Sequence, residues 1–230
     1  MRRAARNVEL TKNLTESPWS TAATVAGFAA AAPNLSLIDY AAFELSRARS
    51  THLLDIGCGA GRNAVPLARM GWRVVGTDLS QPMLKAAAAR DGGHHLHLVN
   101  APMHALPIRG SSINFIVAHG IWNLAQSGAE FRASVNEAAR IARPGAALFV
   151  FTFSRNTLPA AAEPVAGETF VFTQFSGAPQ CFLTEAQLLE ELRFAGFAPE
   201  PALPLRELNR PAPGLGTGAP VIYEGAFRFS

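Results

Sequence analysis

Between residues 51 and 154 short apolar runs alternate with stretches of helical period, and few folds accept that rhythm. "THLLDI" (51–56), "WRVVGTD" (72–78), "HLHLVNA" (95–101), "INFIVAHG" (113–120) and "AALFVFTFS" (146–154) read as strands. "NAVPLARMG" (63–71) reads as a helix closed by Gly71, and "MLKAAAARD" as a second, capped by Ser80 with Pro82 in its first turn. "EFRASVNEAARIA" (130–142) is a third, stopping at Pro144-Gly145. The strands are too apolar to leave one face wet. A β-α-β-α order with such strands predicts an α/β fold, a parallel sheet covered by helices on both sides.

The rhythm changes after residue 155. "RNTLPAAAEPVAG" is rich in Pro and Ala and reads as a loop or insertion, with a strand at "ETFVFTQFS" (168–176) beyond it. Thr184 and Gln187 predict a capping box for "EAQLLEELRFA", which ends at Gly196. Extended pieces at "FAPEPALPL" (197–205) and "VIYEGAFRF" (221–229) are expected to pair as an antiparallel hairpin at a sheet edge. The 230 residues suffice for one well-cored domain, and 49% hydrophobic with 16% charged residues suits a globular chain.

"LLDIGCGAGRN" (53–63) places glycines at alternate positions directly behind a buried strand. Glycine inside an element costs about 0.5–1 kcal/mol relative to alanine, so the run needs a cause, and close approach of a ligand to the backbone is the usual one. The first βα turn of an open α/β sheet is where ligands bind. Dinucleotide sites need G-x-G-x-x-G, whose third glycine would fall at Arg62, and the Gly-Lys-Ser/Thr of a P-loop is absent. The ligand therefore lacks a pyrophosphate. Asp78 ends the second strand, where an acidic side chain reaches ribose hydroxyls. Asp55 stands where it attracts an ammonium group. An ammonium, a ribose and no diphosphate describe S-adenosylmethionine (SAM).

Asp55, Gly57, Gly59 and Gly61, with "VVGTDLSQPML" (74–84), resemble the first two motifs of class I SAM-dependent methyltransferases. "GCGAGRN" with "LARMGWRVVGTD" is similar to small-molecule branches such as the tellurite-resistance methyltransferases. The resemblance covers residues 50–155 well and the C-terminal hairpin loosely. It implies a Rossmann-like three-layer sandwich, its seven-stranded sheet mostly parallel with one antiparallel strand. It also implies cofactor contacts from Asp55, Gly57, Gly59, Gly61, Asp78, Leu79, Met83, Met103 and His119. Where the family often has an Asp for the adenine amino group, Pro102 stands in "NAPMHALPI"; the Met103 N–H and apolar contact from Leu79 and Met103 take over.

His119 ends the fourth strand and has two readings, a general base or a contact to the cofactor. Trp122 behind it, and Trp19 and Phe28 in the N-terminal segment, are candidates for an acceptor pocket, with core packing as the alternative. Cys58 is read as filling space, not as a nucleophile. His94, His95 and His97 are read as solvated residues, because 94 and 95 point to opposite faces of a strand and no carboxylate joins them; no metal site is expected.

The expected organisation is an N-terminal helical lid (1–45) and a SAM-binding domain (46–230) with an insertion at about 155–183. Transfer of a methyl group to a small molecule is the activity the resemblance implies, and a SAM-binding module without catalysis is the alternative. Twenty Lys+Arg against seventeen Asp+Glu leave only +3, scattered and nearly all arginine, so no nucleic-acid partner is expected. Two cysteines suggest no disulfide framework and a reducing cytoplasm. Glu9, Lys12 and Glu16 separate "MRRAAR" from the apolar "TAATVAGFAAAAP", unlike a secretory signal, and no apolar run reaches the ~20 residues of a membrane span.

Overall fold

The computed structural model describes residues 18–48, 50–93, 96–210 and 219–230. His94, His95 and the charges that separate "MRRAAR" from residue 21 lie outside them. The strands are β1 (His52–Ile56), β2 (Arg73–Asp78), β3 (Leu96–Asn100), β4 (Ile113–His119), β5 (Ala142–Phe153), β6 (Val171–Phe172), β7 (Gln180–Cys181), β8 (Phe197–Pro199), β9 (Arg206–Leu208) and β10 (Ile222–Phe229). The helices are α1 (Ala22–Ala30), α2 (Leu35–Arg47), α3 (Ala64–Met70), α4 (Gln81–Asp91), α5 (Gly128–Ile141) and α6 (Glu185–Phe194).

Seven strands form the main sheet in the order β3-β2-β1-β4-β5-β10-β8. The pairs from β3 to β5 are parallel, while β10 runs antiparallel to both β5 and β8. The expected C-terminal hairpin is thus the β8–β10 pair. An eighth strand, β9, pairs with the other end of β10. It was not expected, since prolines at 199, 201 and 204 interrupt the edge with residues that cannot donate to a ladder.

Alternation along each central strand feeds two cores. Leu54, Ile56, Ile116, Ala118, Leu148 and Val150 face Phe131, Val135 and Ala138 of α5 and Leu188 and Leu192 of α6. Their neighbours Leu53, Phe115, Val117 and Phe149 face Leu37 and Tyr40 of α2, Leu67 of α3 and Leu84 of α4. Burying each such large side chain contributes about 1.5–3 kcal/mol, and a sheet covered twice explains why its strands carry almost no polar residues.

Two expectations need correction. Pro144-Gly145 does not lie between helix and strand; β5 already begins at Ala142, and the pairing with β4 jumps from Ile113↔Ala142 to Phe115↔Ala147. The extra residues form a bulge, a place where a strand tolerates proline. The strand expected over 168–176 shrinks to the two residues of β6, paired only with β7. Its aromatic residue Phe172 enters a small separate cluster with Leu158 and Phe182 instead of the main sheet. The capping box at Thr184 and Gln187 is present at the start of α6.

Candidate active site

The carboxyl ends of β1, β2 and β4 meet at the glycine turn, and its three glycines have different reasons. All take positive φ (68° at Gly57, 54° at Gly59, 75° at Gly61), a region open to glycine at no steric cost. A Cβ on Gly57 would stand 2.6 Å from Ile121, and one on Gly61 would stand 2.8 Å from Val65 and 3.1 Å from Ala87. Those two glycines let protein pack against protein. At Gly59 a Cβ would meet Phe28 at 3.8 Å and Met83 Sδ at 3.9 Å, ordinary contact distances, so here the positive φ and not crowding by protein asks for glycine.

Asp78 locks the two turns together. Its Oδ2 accepts from Gly59 N–H (2.9 Å) and its Oδ1 from Ser80 N–H (2.8 Å). Burial raises its pKa, and these backbone donors hold the rise back. Asn100 Nδ2 ties the end of β3 to the carbonyls of Asp78 and Leu79 (2.9 and 3.0 Å). The Leu79 side chain projects outward at 67% exposure, whereas Met83 and Met103 are buried.

Asp55 is almost fully buried, and desolvation, followed by repulsion from Asp78, pushes its pKa up to about 7; Arg62 and the Ala64 N–H oppose the rise. Two carboxylates thus share one desolvated corner, and burial disfavours the ionised form of each. Cys58 faces β2, where a Cβ on Gly76 would stand 2.8 Å from its sulfur, and burial pushes the thiol well above its usual pKa. A buried, protonated thiol packed into a glycine gap is a space filler.

His119 stacks on Phe151, with ring centroids 4.1 Å apart and an interplanar angle of 12°. Arg62 Nη2 stands 2.9 Å from its Nε2 and 3.2 Å from its Nδ1, and Asn34 Nδ2 lies 3.3 Å from Nε2. Asn34 also donates to Glu224 Oε2 (2.6 Å), accepts from Leu37 N–H as the cap of α2, and donates its own N–H to Asn63 Oδ1. Burial, then the Arg62 charge, lowers the His119 pKa to about 3. Such an imidazole is neutral at physiological pH and accepts from its neighbours. Sequence reasoning missed Arg62, Asn34, Asn63 and Glu224. Arg62 was visible beside Gly61, but no spacing announces Asn34 or Glu224, which belong to distant elements.

The N-terminal segment docks over this corner. Ser80 Oγ donates to Trp19 O (3.0 Å) and lies 3.2 Å from Ser20 Oγ, while Trp19 and Phe28 meet edge to face at 5.9 Å. Both rings stay partly exposed, at 41% and 37%. Of the two readings of Trp122, pocket wall and core packing, the structure shows core packing. It is fully buried against Phe131 in the core, so it walls no opening. His97 is exposed on β3. No helix among the described residues is long and apolar enough to cross a membrane.

A mostly parallel sheet in the order β3-β2-β1-β4-β5-β10-β8, with a glycine turn after β1 and an acidic residue closing β2, defines a Rossmann-like fold. Residues 54–150 match the family described as "Methyltransferase domain". The chain is 33% identical over 121 residues to a ubiquinone/menaquinone biosynthesis C-methyltransferase of Syntrophotalea carbinolica, covering 50% of this chain and 49% of that protein. It spans about half the length of the curated relatives it matches. Two solved structures share the fold. A SAM-dependent methyltransferase of Methanosarcina mazei aligns with TM-score 0.61 at 22% identity, covering 79% of this chain and 93% of that one. The 1,6-didemethyltoxoflavin-N1-methyltransferase of Burkholderia thailandensis aligns with TM-score 0.61 at 20% identity, covering 83% and 77%. Residues 54–150 thus carry both the family match and the glycine turn with Asp78.

Proposed function

We propose that this protein is a SAM-dependent methyltransferase acting on a small-molecule acceptor. The observation that carries the reading is the corner of Asp55, Gly59 and Asp78: a positive-φ glycine turn, tied to Asp78 through the Gly59 N–H, between two carboxylates whose ionised forms burial disfavours. When bound, SAM supplies a methyl group on a sulfonium, electrophilic enough to need no activation by the protein. The chain's own tasks are placement and exclusion of water. In this reading Asp78 takes the ribose hydroxyls, Asp55 faces the positive charges, Gly57, Gly59 and Gly61 shape the turn, and Leu79, Met83 and Met103 surround the base. Trp19 and Phe28, in the described part (18–45) of the expected lid, close over Gly59 and supply the acceptor's wall together with the insertion at 155–183. Cytoplasmic residence belongs to the same reading, supported by two buried, unpaired cysteines.

The acceptor's class is supported by the names of relatives that methylate quinone precursors and toxoflavin precursors. Binding is tested by melting temperature. SAM and S-adenosylhomocysteine should each raise it, by mass action on the native state, and NADH should not. A shift with NADH and none with SAM would sink the proposal. Release of S-adenosylhomocysteine across a library of small acceptors then separates an enzyme from a SAM-binding module, which would bind and never turn over.

His119 is a positioning residue in this reading, because an imidazole with a pKa near 3 is too weak a base to work at neutral pH. His119→Gln should lower kcat less than ~10-fold, against the ~10²–10⁴-fold expected on losing a general base, and leave the pH–rate profile without a new limb. Loss of a limb near pH 6–7 in the variant would restore the base role.

A further inference from the structure

We propose that Arg62 is a carboxylate anchor whose guanidinium holds the α-carboxylate of the amino-acid part of SAM. The inference rests on the SAM reading above and adds a residue to it. Arg62 follows Gly61 directly, so the glycine turn fixes its backbone, and its Nη2 is fixed on the His119 ring. That ring is itself clamped by the Phe151 stack and by Asn34. Among the described residues, Nη2 is the guanidinium atom with a hydrogen-bond partner, while Nε and Nη1 have none and no carboxylate forms an ion pair with Arg62. Burial lowers its pKa, and the attraction of Asp55 offsets this only in part.

The side chain lines a pocket of about 280 Å³ with Thr24, Gly27, Phe28 and Ala31 of the N-terminal segment. Phe28 also lies over Gly59, so the pocket adjoins the glycine turn. A half-buried guanidinium with spare donors in an apolar pocket favours a planar anion, and a carboxylate matches its fork. The amino-acid end of SAM carries one. The corner then divides its labour: Asp55 faces the positive charges of the ligand and Arg62 the negative one. His119, neutral and accepting, orients the guanidinium without competing for the anion.

The experiment is calorimetric titration of the full chain with SAM, decarboxylated SAM and 5′-methylthioadenosine, which lacks the amino-acid part. The wild type should bind SAM at least ~10-fold tighter than decarboxylated SAM. Arg62→Met should weaken SAM by ~10–100-fold, the range for losing a charged hydrogen-bond pair, erase that gap, and leave 5′-methylthioadenosine unchanged. Arg62→Lys, which keeps the charge and loses the fork, should fall between the two and carries the test if the Met variant does not fold. Unchanged SAM affinity in Arg62→Met overturns the proposal, with a carboxylate on the acceptor then the partner to examine. Equal loss of SAM and 5′-methylthioadenosine overturns it too, by making Arg62 a support of the turn. A wild type that binds none of the three ligands fails the SAM reading itself.

Discussion

Asp78→Ala should weaken SAM binding by about 1–3 kcal/mol, roughly 5- to 150-fold, while the fold survives. Each carboxylate oxygen of Asp78 accepts one backbone N–H, from Gly59 and from Ser80, and a carboxylate has about four acceptor positions. The remaining lone pairs are the ones available to a ligand's hydroxyls. Alanine removes those acceptors and also frees the Gly59 amide, so the glycine turn is no longer held in register with β2. Stability should fall modestly, because Asp78 sits at a strand end beside water and not in either core. 5′-Methylthioadenosine keeps the ribose, and its affinity should drop with that of SAM. Calorimetry with both ligands is the measurement, and unchanged affinity for both would end the ribose assignment.

That prediction was available from the sequence because its residues belong to one local pattern. An apolar strand, a glycine turn and an acidic residue closing the next strand are read from residues less than one βαβ unit apart. Ser80 as the cap of α4 and Thr184 with Gln187 at α6 were legible for the same reason, since capping is decided within three residues. What escaped depended on distant partners. "ETFVFTQFS" has every local mark of a strand, yet its ladder is confined to Val171 and Phe172 against Gln180 and Cys181. Trp122 follows β4 as a pocket residue would, but α5 brings Phe131 over it and closes it into the core. The neutral state of His119 is set by burial and by Arg62, and its ring is held by Asn34, which is 85 residues away. Pro144-Gly145 was a correct sign of irregular backbone given the wrong meaning, because a bulge and a helix stop use the same residues.

SAM affinity should rise with pH between about 5 and 7 and level off above, and Asp55 is the cause. In the free protein its pKa stands near 7, so at pH 5 or 6 the group is mostly neutral. A ligand bringing positive charge into this corner favours the carboxylate, so binding expels a proton wherever Asp55 was protonated beforehand. The slope can reach at most tenfold per pH unit and vanishes above the free-state pKa. The other groups facing this corner do not reverse the sign. His119 has a pKa near 3 and stays neutral through the window, and Cys58 stays protonated throughout. Burial raises Asp78 as well, and its backbone donors hold that rise back. Stability of the free protein runs the other way. Unfolded, Asp55 ionises near the usual ~3.9, so from there to pH 7 the unfolded chain sheds its proton first, and the Asp55 contribution to stability falls as pH rises. Asp55→Asn removes both trends: it should flatten the Asp55 part of the affinity profile and bring the largest gain in free-protein stability at and above pH 7. Calorimetry in buffers of different ionisation enthalpy counts the released protons directly. A wild type that binds SAM at pH 6 without releasing a proton would show that Asp55 is already charged before the ligand arrives.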